Sequence, residues 1–286
     1  MKAYYDCVPC MIRQALEAMR LVTDDLAVHE RVMRMVLAET AASVDFNESS
    51  PYMFAIINRQ LRNMLNCEDP YRKLKDRFNS SALRIYDSLA NIIEESKKPF
   101  DTAVRIAIAG NVIDCSISTQ IPPEQVKASI KDALERPILF NTSTDLQQAV
   151  NQAGKILYLG DNSGEIVFDK LLIKQMPQHK ITYVVKGEPV INDVTREDAE
   201  SVGMTQLVRV IDNGNGAPGT ILKLCSPEFL REYEQADVVI SKGQGNYETL
   251  SDVRDKDIFF LLKAKCPVIA RDLNCQIGDI VIKKNR

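Results

Sequence analysis

Residues 155–193 read KILYLGDNSGEIVFDKLLIKQMPQHKITYVVKGEPVIND, and this stretch decides the fold. The apolar run Ile156–Leu159 stops abruptly at Gly160-Asp161-Asn162-Ser163-Gly164-Glu165. The spacing then predicts a helix over residues 166–175, a second strand over Ile181–Val185 and a polar stop at Lys186-Gly187-Glu188. Strand, loop, helix, strand, loop makes one βαβ unit. In open parallel sheets, ligands bind outside the carboxyl ends of the strands. These loops are therefore the expected working surface.

The alternation continues downstream, with strands expected over residues 207–211, 238–240 and 258–262 and short ones over 267–270 and 279–282. Thr195-Arg196-Glu197-Asp198 resembles a capping box, and Ser226-Pro227-Glu228 is a cap with proline at the first helical position. Upstream, Ser143 or Thr144 can cap a helix over residues 145–152, and another helix is expected over 124–136. Residues 100–117 read as a helix containing Ala109-Gly110-Asn111-Val112-Ile113-Asp114, in which Asn111 and Asp114 share a face. Its glycine suits a close helix–helix contact or a helix brought against the active site.

Residues 24–98 keep a helical pattern. Stripes run through Val28, Val32, Met35 and Val36, then Phe54, Ile57, Leu61 and Leu65, then Leu83, Tyr86, Leu89, Ala90 and Ile93. Prolines 51, 70 and 99 punctuate them, and no glycine occurs before Gly110. The expected architecture is α/β: a helical N-terminal region (1–98), then an α/β domain (99–286). The latter would be a Rossmann-like, mostly parallel sheet with helices on both faces.

Composition narrows the function classes. Among 286 residues, 45% hydrophobic and 26% charged support an ordinary soluble core. A net charge of −3 argues against a nucleic-acid-binding body. No uncharged apolar run reaches the roughly 18 residues of a membrane span. The first residues lack a signal peptide's apolar core, so a cytoplasmic location is expected. Seven scattered cysteines do not make a disulfide framework. Cys7-Val8-Pro9-Cys10 precedes a helical pattern, but no second CxxC exists and the histidines are only His29 and His179. A closed zinc site thus lacks partners; a structural role and a metal or redox contact stay open.

Successive strands end in Asp161-Asn162, Lys186, Asp212-Asn213, Lys242 and Lys263. In a parallel sheet these groups share one edge. Carboxylate and amide oxygens suit hard divalent ions, and lysines with glycine-rich backbone suit phosphate. A metal beside lysines is what phosphoryl transfer needs, because positioning and charge neutralisation dominate that chemistry. Asp161 and Asp193 could instead simply cap the helices that follow them. Residues 214–219, GNGAPG, formally match GxGxxG, yet they follow the third strand without a ribose-binding acid. A phosphate or substrate loop is the better reading, and the absence of GxxxxGK[ST] excludes a P-loop.

The motifs together resemble a known family. GDNSGE (160–165), KGEPVINDVT (186–195), IDNGNGAPGT (211–220), SKGQGNYETL (241–250) and LLKAKCPVIA (261–270) are similar to those of the damage-control phosphatases. The CxxC and AGNVID (109–114) resemble the stand-alone, CxxC-bearing microbial subfamily, and the resemblance runs nearly end to end. It implies a metal-dependent phosphatase acting on small phosphorylated metabolites, such as sugar phosphates, damaged metabolites or cofactor precursors. The fold it implies is the one expected above. By motif, Asp161 and Asn162 match an adjacent pair of metal ligands, Asp193 the third, and Lys242 a substrate-contacting lysine.

The expected mechanism follows. One divalent ion (Mn, Co, Ni or Mg) on Asp161, Asn162 and Asp193 polarises the phosphoryl group and activates a water. Glu165 or Asn192 orients that water or a ligand. Lys186 and Lys242 neutralise the phosphate, and Asn111, Asp212 and Asn246 are further candidate substrate contacts. Direct attack by Asp161 is the less favoured route, because the DxD spacing of aspartyl phosphatases is missing. The alternatives are carboxyl methyl transfer from S-adenosylmethionine, suggested by the sheet class and by an early description of a human family member, and a non-catalytic phosphate- or nucleotide-binding module.

Overall fold

A computed structural model describes residues 1–114, 131 and 134–285, without the side chains of 111–114. The chain opens with helices α1 (Cys7–Val22), α2 (Leu26–Ser43), α3 (Ser50–Leu65), α4 (Arg72–Glu94) and α5 (Pro99–Asp114). The Asp25 carboxylate accepts from the Ala27 and Val28 amides to start α2, and Ser49 with Pro51 starts α3. Met11, Ala15 and Met19 of α1 pack with Val32 and Val36 of α2 and Phe54, Ile57 and Leu61 of α3. The third stripe is met except at Leu83: Leu89 and Ile93 are buried and Tyr86 and Ala90 pack against the same core, while Leu83 is exposed and Phe78 and Ala82 continue the buried face.

Among the described residues the sheet has seven strands: β1 (Ile138–Leu139), β2 (Ile156–Leu159), β3 (Ile181–Val185), β4 (Arg209–Asp212), β5 (Val238–Lys242), β6 (Ile258–Lys263) and β7 (Ile280–Lys284). Their order is β1-β7-β6-β5-β2-β3-β4, and every pair is parallel except β6–β7. Helices α6 (Ser143–Gln152), α7 (Glu165–Ile173), α8 (Arg196–Ser201), α9 (Pro227–Gln235), α10 (Gly243–Leu250) and α11 (Pro267–Asp272) join the strands. The pleat sends alternate residues to two cores. Ile156 and Tyr158 of β2 pack with Phe168 and Leu171 of α7, while Leu157 and Leu159 pack with Phe229 of α9 and Leu250 of α10. Helices thus cover both faces, as an apolar parallel sheet requires.

The capping box at Thr195 and the Ser226–Pro227 start are both present. Residues 267–270 are not a strand but the start of α11: Pro267 sits where a missing N–H costs nothing, whereas a ladder would need that donor. Strand β1, at two residues, is too short to carry a periodicity. Neither Ser143 nor Thr144 caps α6; the Ser143 hydroxyl donates to Asp101 and Asn141, each at 2.9 Å. The helix expected over 124–136 lies largely outside the described residues. Among those described, no helix is long and apolar enough to cross a membrane.

A buried ion cluster joins α4 to α8. Lys75 Nζ lies 2.7 Å from Asp198 Oδ2, and Arg72 Nη2 lies 2.7 Å from Asp198 Oδ1. Burial alone would raise the Asp198 carboxyl, but Lys75, the Thr195 amide and Arg72 outweigh it and hold it below the usual aspartate range. A depressed carboxyl contributes stability above its unfolded value, about 3.9, and loses it as pH falls through the lower folded value. Asp198→Asn is therefore expected to lower Tm at pH 7, with the gap to the parent narrowing below about pH 4. Thermal unfolding across that range checks it; a gap independent of pH would contradict it.

Candidate active site

Strand β2 is flanked by β3, to which the chain proceeds directly, and by β5, to which it returns later. The crevice beyond β2 and β5 is where the connections diverge, the usual ligand position in such sheets. Two segments run side by side there. The Val194 amide donates to the Asp161 carbonyl at 2.8 Å, the Ser163 amide to the Asn192 carbonyl at 2.9 Å, and Asn162 and Asp193 form an antiparallel bridge. This pairing brings Asp161, Asn162 and Asp193 together. Neither carboxylate is a helix cap: α7 is preceded by Gly164 at its N-cap and α8 by Thr195.

Both carboxylates are buried. Burial, then repulsion from Asp193, pushes Asp161 up to about 6 against the pull of Lys265, Lys186 and Lys242. Burial also raises Asp193, opposed by Lys186. Asp193 Oδ2 lies 3.4 Å from Lys186 Nζ, yet makes no hydrogen bond among the described residues. Asn162 Nδ2 donates to Asp161 Oδ2 at 2.7 Å and to Glu165 Oε2 at 3.2 Å. Two carboxylates and an amide oxygen are a hard donor set. No cluster of three or more His, Cys, Asp or Glu suited to a metal occurs among the described residues. Water and substrate would complete the shell of an ion such as Mg²⁺, which keeps several waters.

Gly243 closes the site from the β5 side. Its φ is +78°, and a Cβ there would sit 2.0 Å from Asp161 Oδ2. Gly243→Ala is expected to displace the carboxylate and cut turnover on the order of 10²-fold. Steady-state assay beside a melting curve separates this from unfolding. Ile191 also carries a positive φ, 45°, a strained state for a β-branched residue beside Asn192.

Above these groups lies a cavity of about 310 Å³. Asp161, Asn162, Asn192 and Asp193 line it on the sheet side, Cys7, Cys10, Arg13 and Ser50 on the helical side, and Gln244, Glu248 and Lys265 between. Burial pushes Glu248 up to about 7.

The other sequence candidates sit elsewhere. Lys186 is buried behind Asp193, its ammonium donating to the Gly219 carbonyl. Lys242 is fully buried beneath the site, 2.5 Å from Glu165 Oε1 and Asp169 Oδ1 and 2.9 Å from the Ala107 carbonyl. Glu165 is therefore a support for Asn162 and is absent from the cavity wall. Asn246 braces the strand-end loops, donating to the Gly160 carbonyl at 3.2 Å and accepting from the Thr220 hydroxyl at 2.8 Å. Asp212 lies at the end of edge strand β4, accepting from the Gly214 amide and 3.9 Å from Arg196. Two strand spacings separate β4 from β2, roughly 10 Å, so a common edge did not bring this end to the cavity. The Asn111 side chain lies outside the described residues. Gly110, beside it, approaches Phe168 and Glu165 so closely that a Cβ would meet their side chains; helix contact and proximity to the site's underside coincide. Lys265, two residues beyond the end of β6, also belongs to the cavity wall, whereas the strand-end pattern singles out Lys263.

A model of the damage-control phosphatase ARMT1-like domain matches residues 3–281. The chain belongs to this family. It is 36% identical, over all of this chain and 99% of the relative, to a damage-control phosphatase of Pyrococcus horikoshii. It is 34% identical, over 97% of each chain, to a damage-control phosphatase of Archaeoglobus fulgidus. A crystal structure of a DUF89 family protein from P. horikoshii superposes with a TM-score of 0.91 at 35% identity, covering both chains completely. The family resemblance read from the strand-end motifs and the mostly parallel, helix-covered sheet are thereby both established.

Proposed function

We propose that this chain hydrolyses phosphomonoesters of small phosphorylated metabolites, using one divalent ion held by Asp161, Asn162 and Asp193. One observation carries this: two buried carboxylates meet on a cavity wall, and Asp193 Oδ2, although 3.4 Å from the Lys186 ammonium, makes no hydrogen bond among the described residues. Like charges so placed call for a cation or a proton. The names of the relatives support the phosphatase class. A divalent ion supplies charge to the phosphoryl oxygens and acidifies a bound water.

The chain's own residues divide the remaining work. With Asn162 Nδ2 committed to Asp161 and Glu165, its amide oxygen is the atom left to coordinate. Asn192, on the cavity wall, orients water in this proposal, whereas Glu165 holds Asn162 from behind. Lys265 lines the cavity and its charge reaches both carboxylates, so it meets the substrate phosphate. Lys186 neutralises Asp193 from the protein side.

The test is phosphate release from p-nitrophenyl phosphate and a panel of sugar and cofactor phosphates. Chelator-treated protein is compared with Mn²⁺, Co²⁺, Ni²⁺ and Mg²⁺ additions. Release that returns with a divalent ion supports the proposal. Silence across all ions and esters ends it, and heat on titration with S-adenosylmethionine would favour methyl transfer instead. Lys265→Ala is expected to raise KM on the order of tenfold with a smaller change in kcat, because a charge-assisted contact is lost. An unchanged KM would remove Lys265 from the phosphate site.

A further inference from the structure

Two of the thiols on the cavity wall, Cys7 and Cys10, occupy the first and fourth positions of α1. Both are half-buried, and all six described cysteines are free thiols. A structural cysteine packs as a small hydrophobe; Cys7 does so in part against the helical core, but Cys10 joins no hydrophobic cluster. Instead, the Arg13 guanidinium lies 3.7 Å from Cys10 Sγ. Residues three apart on a helix have Cβ atoms about 5–6 Å apart, and a disulfide needs about 3.5–4.5 Å. A bridge therefore requires the first turn of α1 to close by that difference.

We propose that Cys7 and Cys10 are a thiol-modification site, oxidised to an intrahelical disulfide by small-molecule disulfides, and that this bridge lowers turnover in the adjoining cavity. The Cys10 thiolate attacks one sulfur of the small disulfide, forming a mixed disulfide and expelling one thiolate. Cys7 then loses its proton to solvent and attacks Cys10 Sγ, expelling the second thiol. Two protein thiols are oxidised and one small disulfide is reduced to two thiols. Burial raises the Cys7 thiol against hydrogen bonds from the Tyr4 backbone and Ser50, which suits the resolving partner better than the attacking one. Cys266 shares the cavity wall, but belongs to another element and accepts from Gln244 Nε2 at 3.4 Å. Bridging withdraws Cys10 Sγ from Arg13 and moves the first turn of α1, the wall that faces Asp161 and Asp193.

The effect on turnover rests on the phosphatase proposal; the bridge itself does not. The full chain is incubated with excess oxidised glutathione, mapped by peptide mass and assayed for phosphate release with Mn²⁺. The expected result is a peptide lighter by two hydrogens and linked Cys7–Cys10. Turnover should fall on the order of tenfold and be restored by dithiothreitol. Cys10→Ser should abolish the linkage and the oxidant response, whereas Cys266→Ser should leave the linkage intact. No linkage, a bridge to Cys266, or a Cys7–Cys10 bridge without a change in turnover would each overturn the inference. A reduced control that releases no phosphate counts against the phosphatase proposal, and the site is then judged on the linkage alone.

Discussion

Asp161→Ala and Asp193→Ala are each expected to lower the proposed metal-dependent phosphate release on the order of 10³-fold, the loss that follows when several kcal/mol of charge stabilisation leave the transition state. The two carboxylates reach the cavity from segments tied together by main-chain hydrogen bonds, so removing either would leave the proposed ion with a single carboxylate. The stability effect runs the other way for Asp161. Its charge is buried against Asp193, and burial and repulsion both penalise it. Asp161→Asn in metal-free buffer is therefore expected to gain about 1–2 kcal/mol, a few degrees in Tm, while activity disappears. Steady-state kinetics and calorimetry on the same samples decide this. A variant that keeps more than a tenth of the activity would remove Asp161 from the centre.

Lys242→Met is expected to cost about 3–5 kcal/mol, on the order of 10 °C in Tm, because it strands buried carboxylates. Lys242 is fully buried and contacts Glu165 and Asp169, while Asp169 also accepts from the Tyr158 and Tyr183 hydroxyls at 2.7 and 2.9 Å. Burial already pushes Glu165 up to about 7 with Lys242 in place. Without the ammonium its charged form loses its main support. Adding Glu165→Gln and Asp169→Asn to Lys242→Met should recover much of the Tm, since no charge is then left unpaired. Thermal melts of the single and triple variants check this; equal melting temperatures would show that the ion cluster is not what holds the region.

The alternation of apolar runs and polar stops made the parallel sheet legible, because strands buried on both faces must be continuously apolar and helices must link them. Residues 267–270 misled for the same reason: four apolar-rich residues fit a strand or the start of a helix, and only Pro267's position separated them. The adjacency of Asp161 and Asn162 on one loop was also readable, since both follow β2 within three residues.

The sequence by itself determined the βαβ order, the glycine-punctuated strand ends and the presence of carboxylate, amide and lysine groups at those ends. These are local: period, turn chemistry and capping need no distant partner. Only the tertiary structure decided which groups face the cavity. Lys242 follows the same strand-end logic as Asp161, yet its long side chain turns under the sheet edge to meet Glu165 and Asp169. Lys265 and the first turn of α1 reach the cavity instead. Burial direction depends on what packs above each loop, and that is fixed by contacts between residues far apart in the chain.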